Sequence, residues 1–365
     1  MSLYIHIPFC AAKCAYCDFY SGPLRADHGH YVDALRREWM MRRDEIGSPV
    51  KTIYVGGGTP SLLNPDVVAR FADWLPTGPD VSEFTVEMNP DDVTPQLVEA
   101  WQRLGCNRIS MGVQSLVDTE LKAVGRRHTS AQVGEAYKVI RQCGVGNVSL
   151  DLIYGLPGQT PDTWLQSLDG VLDMAPEHLS AYMLSYEPGT RLTAALNAGH
   201  IEACPDDVLV AMYEALCQRT RQAGFEHYEI SNFAKPGYRA RHNSAYWDFS
   251  PYVGLGPGAH SFDGSVRRYN PSNLRQWLAD IDSGRTAYLT DDETDTDRLN
   301  DRIMVVLRTS HGLELASLPT AARDAVMSAA RPFVENGTLV NTAGRLFIPE
   351  RAFLLSDAII RELLI

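Results

Sequence analysis

The sequence lacks long hydrophobic runs and any excess of positive charge. No stretch approaches the roughly 18 uninterrupted apolar residues of a membrane-spanning helix, so we do not expect an integral membrane protein. The formal net charge of -12 disfavours loose binding to nucleic acid or to an anionic membrane. No basic segment opens the chain, and Pro8 and Cys10 come early, so no secretory signal peptide is predicted.

Cysteine is scarce outside one cluster. The chain has 7 cysteines, an odd number that does not favour a framework of disulfides. No further pair of cysteines, or of cysteine and histidine, follows at the spacing of a structural zinc site. Together with the absent signal peptide, this pattern predicts a cytoplasmic protein in a reducing compartment. Four cysteines are interpreted as small apolar residues: Cys106, Cys143, Cys204 and Cys217.

The remaining cysteines form a Cys-x3-Cys-x2-Cys motif of Cys10, Cys14 and Cys17. Thiols this close can meet at one centre only if the segment loops around a metal, and thiolates favour iron–sulfur clusters or zinc. Iron–sulfur clusters are usually held by four cysteines, so three leave one position for another ligand. The alternatives are three unrelated cysteines, or a zinc loop completed by a distant histidine.

The first part of the chain alternates between strand and helix patterns. Strands are predicted at residues 3–7, 51–55, 83–88, 108–113, 148–154 and 178–184. Helices are predicted at residues 30–44, 65–75, 95–104, 130–142, 161–174 and 205–223. Such alternation predicts a parallel sheet with helical crossovers. Six units make three quarters of a (β/α)8 barrel, and a doubly wound open sheet is the alternative on pattern alone.

The pattern changes after Phe225. Residues 226–275 are rich in Tyr, Gly, Pro and Asn and predict irregular strands with long loops. The acidic run 291–297 predicts a linker. Residues 298–365 predict three helices, two short strands and a final helix, a pattern typical of a winged-helix-like α+β domain. We therefore predict three parts: a barrel at 1–225, an extension at 226–290, and a C-terminal domain at 291–365.

A glycine-rich loop follows the second predicted strand, at residues 56–60. Glycine has no Cβ, so the backbone there can approach a ligand closely. It is not a phosphate loop, because no Gly-Lys-Ser/Thr follows. The alternative is an ordinary turn.

Polar side chains lie near the ends of the next predicted strands. Glu87, Gln114 and Asp151 carry acceptor oxygens that suit hydroxyl and ammonium groups, at the edge where barrels collect functional residues. Arg126 could pair with a carboxylate. Taken singly, each could instead be a satisfied strand-end residue or a solvated charge. Together they predict a polar ligand.

The cysteine motif resembles that of the radical S-adenosylmethionine (SAM) superfamily. The resemblance implies that Cys10, Cys14 and Cys17 hold a 4Fe–4S cluster. It implies that the fourth iron binds the amino and carboxylate groups of SAM. The glycine loop resembles the superfamily's glycine motif, which implies that Gly57, Gly58 and Thr59 contact the methionine part of SAM.

Nearly the whole chain is similar to the oxygen-independent coproporphyrinogen III oxidase group. The similarity is carried by residues 4–10, the loop 56–60, and the segments 112–115 and 151–160. It implies a partial (β/α)6 TIM-like barrel of the radical SAM type, with the winged-helix-like domain at its C-terminus. It also implies a set of SAM contacts: Tyr4, Gly57, Glu87, Gln114, Arg126 and Asp151, with Tyr16 packed near the cofactor.

One position separates the two kinds of protein in that group. The coproporphyrinogen dehydrogenases extend the motif to Cys-x3-Cys-x2-Cys-x-Cys, whereas Phe19 occupies the last position here. The stretch 242–247 resembles the His-Asn-x-x-Tyr-Trp signature of the heme chaperone family called HemW. In that family the protein binds heme and delivers it to acceptors, which could be respiratory and membrane-associated. Catalysis of porphyrin chemistry is then not required.

Histidine nitrogen suits heme iron, so His242 is the predicted heme ligand, with Tyr246 and Trp247 packed on the porphyrin. His260 is a second candidate. The alternative for His242 is a residue that holds a loop together. The alternative function is an oxygen-independent coproporphyrinogen III oxidase, in which a radical derived from SAM abstracts a propionate hydrogen and CO2 is released; a radical enzyme acting on another substrate is a third possibility.

Overall fold

The computed structural model describes residues 1–23, 27–45, 49–286 and 288–365. The strands in these ranges are β1 (Ser2–Ile7), β2 (Phe9–Cys10), β3 (Gly22–Pro23), β4 (Thr52–Gly57), β5 (Glu83–Met88), β6 (Arg108–Gln114), β7 (Val148–Tyr154), β8 (His178–Met183), β9 (Glu226–Glu229), β10 (Asn232–Ala234), β11 (Tyr252–Leu255), β12 (His260–Phe262), β13 (Arg267–Tyr269), β14 (Leu289–Thr290), β15 (Leu313–Glu314), β16 (Val340–Thr342) and β17 (Arg345–Phe347). The α-helices are α1 (His28–Arg42), α2 (Pro65–Ala69), α3 (Pro95–Arg103), α4 (Asp118–Ala123), α5 (Ser130–Gln142), α6 (Pro161–Asp173), α7 (Arg191–Asn197), α8 (Asp206–Gln222), α9 (Arg241–Trp247), α10 (Leu274–Asp282), α11 (Asp295–Val306), α12 (Thr320–Glu335) and α13 (Ser356–Leu363).

Six parallel strands form the centre of the main sheet, in the order β1-β4-β5-β6-β7-β8. Helices connect each strand to the next. A doubly wound sheet would reverse its strand order part-way along, and this order runs in one direction. The predicted partial (β/α)6 barrel is therefore confirmed. The ends differ by a few residues; α2, for example, is short and continues as a 3-10 turn at Arg70–Asp73.

Strand β6 shows how the sequence builds the barrel wall. Ile109, Met111 and Val113 are fully buried in the hydrophobic core. The alternate residues Arg108 and Ser110 line the cavity inside the barrel, because successive side chains of a strand point to opposite faces. The lumen is therefore polar while the layer beneath the helices is apolar.

Residues 226–290 extend both ends of the same sheet. Strands β10 and β9 continue it antiparallel from β8, and β11 pairs parallel with β1 before β12, β13 and β14 follow antiparallel. The sequence predicts strands and loops here, but Arg241–Trp247 is a helix, so that prediction is wrong for α9. The Glu83 carboxylate accepts hydrogen bonds from the backbone N–H of Arg241 at 2.8 Å and of His242 at 2.9 Å. Because the capping residue lies on β5, far away in the sequence, the residues around Arg241 contain no pattern that predicts the start of this helix.

The C-terminal residues form helices around a three-stranded antiparallel sheet of order β15-β17-β16, as expected for the α+β domain. The prediction of three consecutive helices is wrong, because Leu313–Glu314 pairs with Arg345 and Leu346 as a strand. The acidic run 291–297 is a linker only in part. Thr294 and Asp297 form a capping box, and α11 starts at Asp295. No helix in the described ranges is long and apolar enough to cross a membrane.

Candidate cofactor site

A cavity of about 480 Å³ opens at the carboxyl ends of the parallel strands. It collects most of the residues that the sequence analysis singles out. They come from the cysteine loop, the glycine loop, the three strands β5, β6 and β7, and the connection between α4 and α5. The first and the last of them are about 140 residues apart in the chain. The predicted residues that line the cavity are Cys10, Cys14, Tyr16, Cys17, Gly57, Gly58, Thr59, Glu87, Gln114, Arg126 and Asp151.

The cysteine loop lies across the mouth of the cavity and is held from two sides. Its Ala15 N–H donates to Val124 O at 2.9 Å, and Leu192 N–H donates to Ala15 O at 2.9 Å. All three cysteines are half-buried and free of disulfides. Half-buried thiols on a fixed loop over a polar cavity fit a metal cluster that must also reach a ligand. The donor set is soft, as such a cluster requires.

Two side chains donate to the cysteine sulfurs. Thr59 Oγ1 lies 3.5 Å from Cys10 Sγ, and Arg126 Nη1 lies 3.6 Å from Cys14 Sγ. Hydrogen bonds to thiolate sulfur and a nearby positive charge stabilise the anionic ligand and tune a cluster's reduction potential. The glycine loop and Arg126 therefore contact Cys10 and Cys14 directly.

The glycine loop is shaped by close contacts that only glycine permits. Gly57 has φ +108°, and a Cβ there would lie 2.4 Å from the His6 ring. A Cβ on Gly58 would lie 2.7 Å from Ile7 O and from Phe9 O. The loop therefore packs on the backbone that leads into Cys10. The interpretation as an ordinary turn does not account for this packing.

Glu87, the second-last residue of β5, is a half-buried acceptor in the cavity wall. It accepts hydrogen bonds from Tyr54 Oη at 2.7 Å and from Gly57 N–H at 3.0 Å. Burial raises the pKa of this carboxyl to about 7, although these two donors oppose the shift. Glu87 therefore changes charge near neutral pH, and it links the glycine loop to β5.

Asp151 lies deeper, on β7. Its carboxylate accepts hydrogen bonds from Ser110 Oγ at 3.1 Å and from Ser149 Oγ at 3.2 Å, and burial raises its pKa.

Gln114 lies at the carboxyl end of β6 with φ +65°, beside a shift in the β6–β7 register. An irregularity of this kind re-aims a side chain, and a strained backbone is common at ligand sites.

Arg126 is anchored rather than free. Its Nη2 donates to Asn89 Oδ1 at 2.7 Å and to Gly112 O at 2.6 Å. Gly112 leaves space for this contact, because a Cβ there would lie 3.1 Å from Arg126 Nη2. The guanidinium is thus fixed between β6 and the cysteine loop. It is placed to balance negative charge at Cys14.

Tyr4 and His242 do not line the cavity. Tyr4 Oη lies 2.9 Å from His6 Nδ1. His242 is 1% exposed, with Nδ1 3.0 Å from Thr52 Oγ1 and Nε2 2.9 Å from Tyr246 Oη. Burial lowers the pKa of His242 to about 3, with the charge of Arg108 contributing. Its heme-ligand role stays a prediction, and it requires one of these hydrogen bonds to break.

His260 lies on β12, where its ring stacks on Tyr269 at a centroid distance of 5.4 Å. It is not part of the cavity wall. His260 is exposed, so a ligand could reach it without a change of structure. The two candidate heme ligands therefore differ, because His260 is accessible to heme and His242 is buried.

Sequence reasoning missed several polar residues of the cavity. Tyr54, Asn89 and Arg108 line it, as do Ser110 and Ser180. The signal that could have found Arg108 and Ser110 is the alternation of polar and apolar residues along β6, in a strand that is covered on both faces. Asn89 could not be found this way, because it lies beyond the end of β5.

Comparison with known proteins agrees with this geometry. The family model of the Radical SAM superfamily matches residues 4–170. The heme chaperone HemW of Mycobacterium tuberculosis is 35% identical over 99% of this chain and 94% of its own length. That of Bacillus subtilis is 32% identical over 98% of this chain and 97% of its own. That of Escherichia coli is 40% identical over 71% of this chain and 69% of its own.

The structure is also similar to a solved one, the coproporphyrinogen III oxidase HemN of Escherichia coli, described as a radical SAM enzyme. The TM-score is 0.85, with coverage of 100% of this chain and 89% of that one. At 23% identity this likeness shows the fold alone. The HemW relatives, in contrast, match in sequence over most of their length. The chain belongs to the heme chaperone HemW family, within the radical SAM superfamily.

Proposed function

We propose that this chain binds heme and passes it to acceptor proteins, with a 4Fe–4S cluster on Cys10, Cys14 and Cys17 and with SAM in the cavity. The observation that carries this function is the alignment with curated heme chaperones along 98–99% of the chain. It includes the C-terminal residues as well as the cavity. We also propose a cytoplasmic location and acceptors among membrane-associated respiratory proteins.

The chain's own residues have separate tasks around the cofactors. When bound, the cluster supplies one-electron chemistry and an iron that takes a ligand. Gly58 lets the backbone approach the methionine part of SAM, and Glu87 and Asp151 accept hydrogen bonds from hydroxyl or ammonium groups. Arg126 offsets negative charge at Cys14. Tyr16 is partly buried against Val124, Ile153 and Leu156, and it would shield that side of the cysteine loop from water.

The mouth of the cavity offers an apolar surface for a flat ligand. Phe19 is 63% exposed, Tyr182 43% and Met183 48%, and all three line the opening. Exposed aromatic and sulfur-containing side chains beside a cavity mark binding surfaces for apolar groups. Heme approaching this surface would lie next to the cysteine loop. Phe19, which contributes to this surface, occupies the position at which the motif of the coproporphyrinogen dehydrogenases has its fourth cysteine.

A hemin titration tests the proposal. We expect saturable binding with one hemin per chain, followed by the Soret band of the anaerobically reconstituted protein. Absence of saturable binding would contradict the function. Titration with SAM in parallel shows whether the cofactor site is intact, so a failed preparation is distinguished from a protein that does not bind heme.

His242 is tested within the same titration. If it is the iron ligand, His242→Ala weakens hemin binding and shifts the Soret band, because an imidazole ligand is lost. Tyr246→Phe removes the hydroxyl at Nε2 and should strengthen binding, since that hydrogen bond no longer has to break. A His242→Ala protein with the wild-type band would place the ligand elsewhere, with His260→Ala as the next variant.

SAM binding should weaken as the pH falls through 7. Glu87 is protonated in the folded protein below its pKa of about 7, so at pH 6 the carboxylate acceptor is mostly lost. If only the ionised form binds, Kd rises roughly tenfold between pH 8 and pH 6. The groups facing Glu87 are Tyr54, Gly57 N–H, Asp151 and Arg108.

Glu87→Gln is the control for that profile. It keeps the shape of the side chain but cannot titrate, and it should bind SAM weakly at every pH. Any pH dependence that remains belongs to SAM itself or to another group. A wild-type profile as flat as that of Glu87→Gln would refute the role of Glu87. Equilibrium dialysis with labelled SAM measures both.

A further inference from the structure

Arg108 is a buried cation that none of these roles explains. The residue is 1% exposed and lines the cavity from the first position of β6. Its Nε has no hydrogen-bond partner among the described residues. No carboxylate in those ranges lies within 4.0 Å of its guanidinium, the limit for an ion pair. Burying an unpaired charge is costly, so this group calls for a partner.

The carboxylates of the lumen are committed to other donors. Glu87 accepts from Tyr54 and Gly57, and Asp151 accepts from Ser110 and Ser149. Burial raises the pKa of both carboxyls, that of Glu87 to about 7. Neither provides the bidentate partner that a guanidinium favours. Arg108 therefore remains a cation in the lumen, with an N–H donor that has no acceptor among the described residues.

A second donor lies in the same layer of the barrel. Thr85 on β5 is the register partner of Arg108 on β6. It is 0% exposed, and its Oγ1 also lacks a hydrogen-bond partner in the described part of the chain. Two adjacent strands thus present unpaired donors at one level. The neighbouring His178 and His242 are neutral, because burial and the Arg108 charge lower their pKa values.

The position of this pair identifies the kind of anion. Arg108 and Gln114 are six residues apart on β6, which is about 20 Å at roughly 3.3 Å per residue. The cysteines lie at the Gln114 end, where the family places the amino and carboxylate groups of SAM. A carboxylate that reaches Arg108 must therefore belong to a larger ligand or to a different one.

We propose that Arg108, with Thr85, binds a carboxylate side chain of a tetrapyrrole that enters the barrel lumen. This inference rests on the proposed heme function and deepens it. Heme carries two propionates, and a guanidinium pairs with a carboxylate through two parallel hydrogen bonds. The aromatic mouth holds the flat ring, and the floor of the cavity holds an acid group.

Arg108→Gln tests the proposal with hemin, hemin dimethyl ester and SAM as the three probes. The expected result is a rise of roughly tenfold or more in Kd for hemin, with equal Kd values of the two proteins for the ester. Kd for SAM should change much less. Arg103→Gln is the control, since it removes an exposed arginine that pairs with Glu99 and lies outside the cavity. Arg108→Lys keeps the positive charge but lacks the planar guanidinium that forms two parallel hydrogen bonds, so it should bind hemin with intermediate affinity.

The outcomes separate the claims. If wild-type protein binds no hemin, the proposed function fails and this inference fails with it. If wild type binds hemin and Arg108→Gln binds it equally well, only this inference fails. Equal loss for hemin and its ester shows a structural role and overturns the proposal. A loss confined to SAM overturns it as well, by assigning the carboxylate to that cofactor. If Arg108→Gln does not fold, Arg108→Lys decides between these results.

Discussion

The Cys14→Ser protein should lose its iron–sulfur absorbance, and with it nearly all bound iron. In the described ranges, Cys10, Cys14 and Cys17 are the cysteines that line the cavity, so losing one leaves two, which is too few to hold a cluster. Serine is close to cysteine in size, and Cys14 is half-buried, so the fold should survive. The measurement is the visible absorbance and iron content after anaerobic reconstitution.

Cys143→Ser is the matched control for this result. Cys143 is also half-buried and free, but it follows α5 and lies outside the cavity. It should retain the iron content of the wild type. Cys10→Ser and Cys17→Ser should behave as Cys14→Ser does. A Cys14→Ser protein that keeps its brown absorbance would refute the assignment of the cluster ligands.

Gly58→Ala should weaken SAM binding and reduce cluster loading. The new Cβ would lie 2.7 Å from Ile7 O and Phe9 O and 2.9 Å from Phe9 N. These are backbone atoms, so relief requires the segment before Cys10 to move. Because Gly58 N–H donates to Ile7 O at 2.8 Å, the glycine loop and the cysteine loop shift together. We expect at least a roughly tenfold rise in Kd for SAM.

Gly134→Ala is the control for a glycine substitution. Gly134 lies inside α5, and a Cβ there meets nothing within 4 Å. Alanine should leave SAM binding unchanged and stabilise the helix by up to about 1 kcal/mol. SAM binding is measured by equilibrium dialysis, and iron content is measured on the same samples. Wild-type affinity in Gly58→Ala would show that the loop is only a turn.

The barrel could be predicted from the sequence because its signals are local. Strand and helix patterns alternate, Pro161 opens α6, and Thr129 and Gln132 form the capping box of α5. The parallel order then follows from the need for crossover helices. The residues at the strand ends were found for the same reason, since a parallel sheet brings its carboxyl ends together.

Other features depend on contacts between distant parts of the chain. Helix α9 begins where Glu83 caps it, 158 residues away in sequence. The strand at Leu313–Glu314 is too short to signal itself, and it forms by pairing with β17. The burial of His242 depends on Thr52 and Tyr246 around its ring. None of these contacts has a local pattern, so the sequence predicted loops, an extra helix and an available heme ligand.

The lumen of the barrel shows the same limit. Arg108 resembles an ordinary first residue of a strand, and only the structure shows that it is buried beside the cavity, with an Nε that has no hydrogen-bond partner among the described residues. The alternation along β6 predicts that the Arg108 side chain faces the lumen. It does not predict whether an acceptor lies near, because that depends on the residues of all the surrounding strands.

The most direct test gives the same reconstituted protein two tetrapyrroles. One sample is titrated with hemin, and the other receives reduced coproporphyrinogen III together with SAM and a reductant. We predict tight, saturable hemin binding, with no protoporphyrinogen IX and no 5′-deoxyadenosine in the second sample. Formation of both products at many turnovers per chain would make the protein a decarboxylating enzyme, and would contradict the heme chaperone function proposed from its relatives.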